Sequence, residues 1–64
     1  MPKVGQLIYD CTDAQRFVGR VVAINDEFAE VFWHDAYSSP VPIKNLCTDV
    51  PSYMTPGEKL GLAS

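Results

Sequence analysis

Apolar and polar residues in this chain trade places over short runs, with almost no sustained helical spacing. The clearest run is FAEVFWH, where Ala29, Val31 and Trp33 fall on one side and Phe28, Glu30, Phe32 and His34 on the other. Neighbouring side chains of a strand point to opposite faces, so the segment predicts a strand with one ring inward and one outward. Burying Glu30 and His34 together without partners is costly, which assigns Ala29, Val31 and Trp33 to the core and Phe32 to the outside. Just before it, GRVVAI over 19–24 is rich in β-branched residues, with Gly19 placed for a bend or bulge. NDE over 25–27 separates the two runs, and Asn and Asp tolerate the left-handed backbone of a turn. Two strand-like runs joined this way predict an antiparallel hairpin.

The rest of the chain divides similarly. KVGQLIYD over 3–10 predicts a first strand, and CTDAQR a polar loop whose Thr12-x-x-Gln15 spacing caps at most one helical turn. DAYSS is a polar connection, PVPI over 40–43 a short fourth strand, KNL a 3₁₀ turn, and CTDV over 47–50 a brief fifth strand. Pro40 and Pro42 cannot donate ladder hydrogen bonds, so the fourth strand has a free edge or turns alternate amides outward. Five short strands at such spacing predict an all-β, closed or nearly closed barrel over 1–50. Residues 51–64 form a separate apolar arm. In it, Thr55-Pro56-Gly57-Glu58 is a capping box with Pro at the first helical position, opening a helix too short to stand alone.

The chain of 64 residues carries 47% apolar and 20% charged residues, a globular composition. So small a domain buries only roughly 60% of the surface its unfolded chain exposes, and its margin of stability is thin. Eight acids oppose five bases, a net charge of −3, and Asp10, Asp13, Asp26, Glu27, Glu30 and Asp35 face only Arg16 and Arg20 between residues 10 and 35. Phosphate backbones are bound by displacing counterions with Lys and Arg, so nucleic acid is an unfavoured partner. The N-terminus has no apolar signal region and no stretch has the length of a membrane span, which predicts synthesis in the cytoplasm and no membrane partner. Cys11 and Cys47 lie 36 positions apart; the redox argument predicts reduced thiols acting as small apolar fillers, and a disulfide requires the first and last strands to pair.

Several residues together resemble a known family. Lys3-Val4-Gly5-x-Leu7-Ile8, Gly19-x-Val21-x-x-Ile24, Val31-x-Trp33, and Val41 with Leu46 are similar to the small SH3-like barrel proteins of tailed bacteriophages. The likeness covers about residues 3–50 and leaves the arm out. It implies a five-stranded SH3-like barrel ending in a short arm or helical turn. It also implies that Trp33 faces the core and that Val4 and Ile8 bend into it, with Leu7 and Tyr9 on the opposite side. The fold serves many functions, so it assigns none by itself.

The second strand is apolar on both faces, through Val21 and Ala23 on one and Val22 and Ile24 on the other, which implies that both are covered. Leu7, Tyr9, Phe32 and one of Val22 or Ile24 are surplus to one small interior. Either Tyr53, Met54, Leu60 and Leu62 fold over them as a second small core, or the patch is an interface, since contiguous exposed apolar surface usually marks one.

Chemistry is sparse. His34, Asp35, Ser38 and Ser39 contain the ingredients of a triad, but a triad needs a pocketed serine with oxyanion donors. Cys11, His34, Asp35 and Cys47 lack metal-ligand spacing. Tyr9, Trp33 and Tyr37 suggest an aromatic cage for a cation, weakened by an inward Trp33. Four dispersed glycines make no phosphate loop, and no cofactor is expected. The expectation is a non-enzymatic module, a minor phage virion or virion-assembly protein that enters the particle. It would bind copies of itself or a larger protein through Leu7, Tyr9, Phe32, Tyr53, Met54, Leu60 and Leu62, with Asp10, Asp13, Asp26 and Glu27 orienting a basic surface. A small acidic inhibitor that mimics nucleic acid before a host enzyme, and a nucleic-acid-binding accessory, are the competing expectations.

Overall fold

The computed structural model describes residues 2–60. Five antiparallel strands, β1 (Leu7–Asp10), β2 (Val18–Ile24), β3 (Phe28–His34), β4 (Tyr37–Pro42) and β5 (Leu46–Cys47), form one curled sheet in the order β4-β3-β2-β1-β5. A single 3₁₀ turn, Ile43–Asn45, carries the chain from β4 to β5. The architecture is a half-barrel, with β4 and β5 at its two edges.

The hairpin of β2 and β3 forms as its pattern predicts, pairing Arg20 with Phe32, Val21 with Val31 and Ile24 with Ala29. Its bulge lies between Val21 and Ala23 rather than at Gly19. Gly19 has a different task. A Cβ there would stand 2.8 Å from Trp33 Cε3 and 2.9 Å from Cζ3, and closer still to Val31 Cγ1. Gly19 is the bare floor on which the indole lies.

The concave face holds the core: Ile8, Val21, Ala29, Val31 and Val41 are buried, with Trp33, Ile43 and Leu46 packed against them. Ala29, Val31 and Trp33 thus face inward together. Val4 does not, being 64% exposed: the chain turns at Gly5 with φ +91°, and only from there on does it bond to β2, through the Gly5 amide to Val21 O and the Val21 amide to Gln6 O. Nor is the end of β2 covered on both faces: Val22, at the bulge, and Ile24, at the strand's open end, are exposed.

Two connections are tighter than the sequence suggests. Tyr37, Ser38 and Ser39 belong to β4, so the β3–β4 connection shrinks to Asp35 and Ala36, with Asp35 left-handed at φ 51°. The loop over 11–17 has no helical turn. Backbone bonds from Asp13 to Asp10 and from Arg16 to Asp13 fold it into two turns, and Asp10 Oδ1 and Asp13 Oδ1 accept the amides of Thr12 and Gln15.

The arm folds back on the sheet. Its capping box makes a turn instead of a helix: Thr55 donates its amide to Glu58 Oε1 at 2.9 Å, but Gly57 takes φ +96° and ends the helical geometry at once. The chain then runs antiparallel beside the start of β2. Val18 donates to Glu58 O, Gly57 to Val18 O and Leu60 to Arg16 O, while Phe17 bridges Lys59. This segment continues the position of β3 beyond His34, where β3 has turned away into β4. Val18 is fully buried yet lies outside the main core cluster, on the strand face shared with Arg20.

Candidate functional site

The inner face is only partly filled. Below Trp33 the aliphatic core closes it; above, the half-barrel opens into a cleft of about 370 Å³. Its lining follows from strand parity. Ile8, Gly19, Val21, Val31 and Val41 point inward, and alternation puts Asp10 two residues after Ile8, Phe17 two before Gly19, Trp33 two after Val31, and Ser39 and Tyr37 before Val41 on that side. All five line the cleft, together with Asp13 from the first loop and with His34, Pro40, Val41 and Pro42. A register shift between Phe32 and His34 brings His34, the partner of Tyr37, to the cleft as well.

Each wall is positioned by a separate device. The indole of Trp33 rests on Gly19 and donates Nε1–H to Ser39 Oγ at 2.9 Å, which fixes its tilt and satisfies its one polar atom. Phe17 is held by the arm, whose Lys59 places Nζ 5.6 Å from the ring centroid. Pro40 and Pro42 pair with Glu30 and Phe28 on the outermost strand, and their missing N–H groups leave that edge poor in donors. The acidic wall is stapled. Cys11 lies between Asp10 and Thr12 and forms a disulfide with Cys47, with Cα atoms 5.6 Å apart.

That disulfide corrects the expectation of reduced thiols. β1 pairs with β5, placing Tyr9 opposite Cys47 and Asp10 opposite Leu46, so residues distant in sequence meet at the sheet's edge. The amide of Cys11 extends the pairing to Asn45 O at 2.7 Å. The two cysteines are therefore cross-linked and not apolar fillers.

The residues expected to bind a partner lie elsewhere. Leu7, Arg20, Phe32 and Ser38 stand in one cross-strand row on the convex face, where Leu7 and Phe32 are half-buried. Arg20 separates them, its guanidinium donating to Gly5 O at 2.9 Å. Tyr9 is half-buried on the same side of β1, opposite Val18. In the arm, Met54 and Leu60 are half-buried and Tyr53 is 83% exposed; Leu62 lies outside the described residues. Asp26 and Glu27 are exposed at the β2–β3 turn, at the rim of a separate hollow with Phe28, Pro42 and Ile43.

The considered constellations are also dispersed. Ser38 faces outward and donates to Glu30 Oε2, Ser39 faces inward to Trp33, and His34 meets Asp35, at 3.4 Å, and the Tyr37 ring, with neither serine bonded to it. Of the suggested cage, Trp33 and Tyr37 share the cleft while Tyr9 is on the other face. Phe17 takes the third place. The sequence signal for Phe17 was its even spacing from Gly19 and Val21, hidden because β2 starts earlier than its β-branched run.

Among the described residues no helix is long and apolar enough to cross a membrane. Comparison with protein-family models, with curated proteins and with solved structures finds no match for this chain.

Proposed function

We propose that this chain is a non-enzymatic, SH3-like interaction module that works by protein contact, as a minor virion or virion-assembly component of a tailed phage. The SH3-like reading is supported by the strand order, the single 3₁₀ turn before the last strand, and the inward row of Ala29, Val31 and Trp33. The phage setting rests on the sequence resemblance described above.

The cleft is the observation that carries the functional reading. Concave sites lined by aromatic and apolar side chains with a few converging polar groups are those that proteins use for binding. Here three rings and two prolines meet two carboxylates, and each carboxylate also holds its own loop by accepting backbone amides. Rigid rings supply contact area at little cost in conformational entropy. The convex Leu7–Phe32 row and exposed Tyr53 add a second surface suited to copies of the chain or to a larger assembly.

Incorporation tests the reading. The tagged chain, produced during phage growth in the host, is expected in gradient-purified particles, and Phe32→Ser and Tyr37→Ala variants are expected to be depleted from them. A wild-type chain absent from particles and strictly monomeric by sedimentation overturns the assembly role. Co-purification with a host polymerase or nuclease instead supports the inhibitor reading.

A further inference from the structure

We propose that the cleft holds an extended segment of a partner protein and takes one of its cationic side chains, arginine or lysine, between the carboxylates of Asp10 and Asp13 and the rings of Phe17, Trp33 and Tyr37. This rests on the interaction-module reading and names the chemistry of its partner.

Charge comes first. Among the described residues no Lys or Arg lines the cleft, whereas Asp10 and Asp13 both do; Arg16 and Lys59 line the adjoining hollow on the far side of Asp13. In each carboxylate Oδ1 is committed to the loop, and Oδ2 makes no hydrogen bond or ion pair among the described residues. Phe17, Trp33 and Tyr37 line the same cleft, and ring faces attract cations most where water is partly excluded. The chain already uses this chemistry at the rim, with Lys59 held over Phe17. An arginine stacked on a ring and bonded to carboxylates satisfies both kinds of group at once.

Shape decides between a small cation and a peptide. The cleft follows β4 from Tyr37 to Pro42, six residues. At about 3.3 Å per residue that stretch of β4 is roughly 17 Å long, which gives an extended peptide several residues of wall to lie along. Pro40 and Pro42 deny donors to a strand added at that edge, so the occupant is held through its side chains rather than by sheet extension.

The experiment uses the chain's single tryptophan. Its indole N–H, donated to Ser39, gives one NMR signal at the cleft wall. The full oxidised chain is titrated with an octapeptide of alternating arginine and valine, with its lysine counterpart, and with counterparts carrying glutamine or glutamate. A saturable indole shift is expected for the arginine and lysine peptides, weakening with salt, with none for the other two. Asp10→Asn and Asp13→Asn keep the loop acceptors and remove only charge. Each is expected to weaken binding severalfold, and the double variant more, with the backbone spectrum otherwise unchanged. Equal binding of the glutamine peptide, or no response to the cationic peptides at millimolar concentration, overturns the proposal. So does an indole response to single-stranded oligonucleotide in place of peptide. Particle incorporation is scored separately, so a chain that assembles but ignores cationic peptides refutes this inference while leaving the module reading intact.

Discussion

At the scale of single residues, Gly19 and Trp33 are one unit. The indole occupies the volume that any side chain at position 19 would need, with ring carbons 2.8 and 2.9 Å from an ideal Cβ. Gly19→Ala therefore overpacks the core, and about 1–3 kcal/mol of stability should be lost. Urea unfolding followed by the emission of Trp33 measures this directly, and an unchanged midpoint would show that the ring moves aside freely. Ser39→Ala is a milder change. It removes the acceptor of the indole N–H, and a loss of about 0.5–1.5 kcal/mol is expected, with the indole signal moving toward its solvated position.

Among the elements, the arm is the one that depends most on a single backbone angle. Gly57 has φ +96°, and a Cβ there would meet His34 Cβ at 3.1 Å. A left-handed L-residue costs about 1–2 kcal/mol, so Gly57→Ala should loosen the arm without opening the barrel. Hydrogen exchange can see the difference: the Val18 and Leu60 amides, bonded to Glu58 O and Arg16 O, should exchange faster, while the Val21 and Val31 amides keep their protection. Uniform deprotection of both sets would mean that arm and barrel unfold as one. Deletion of residues 51–64 is the larger version of the same test, and it should strip the pairing partner from Phe17 and Val18 together.

For the whole molecule, size is the governing constraint. A core of five fully or nearly buried aliphatic side chains is small for independent stability, and small domains of this kind rely on staples. The Cys11–Cys47 bond supplies one, closing a sequence separation of 36 residues. On the chain-entropy account such a loop contributes about 3–4 kcal/mol. Reduction, or the Cys11→Ser/Cys47→Ser pair, should lower the melting temperature by on the order of 20–30 °C. Calorimetry with and without reductant tests this, and coincident melting curves would show that β1–β5 pairing needs no cross-link. Because the same bond braces the loop bearing Asp13, the reduced chain should also bind cationic peptides more weakly.

Sequence pattern alone determined much of the local structure. The alternation in FAEVFWH determined the β3 span and its inward row, since strand parity is local and needs only the cost of burying Glu30 and His34. Asn-Asp-Glu determined the β2–β3 turn, and the prolines marked β4 for an edge. Tertiary structure decided what depends on meetings between distant segments. It paired β1 with β5 and so joined two cysteines that the sequence left apart. It turned the capping box of the arm into a turn by giving the arm a better partner, the open backbone of Arg16–Val18, than six residues of helix could offer. It also added a concave mouth around Trp33 to the convex row around Phe32. Parity told which side each ring would face; only the curl of the sheet, which brings Asp10, Phe17, Trp33 and Tyr37 from four different strands and loops onto one wall-lined space, told where that side would be left unfilled.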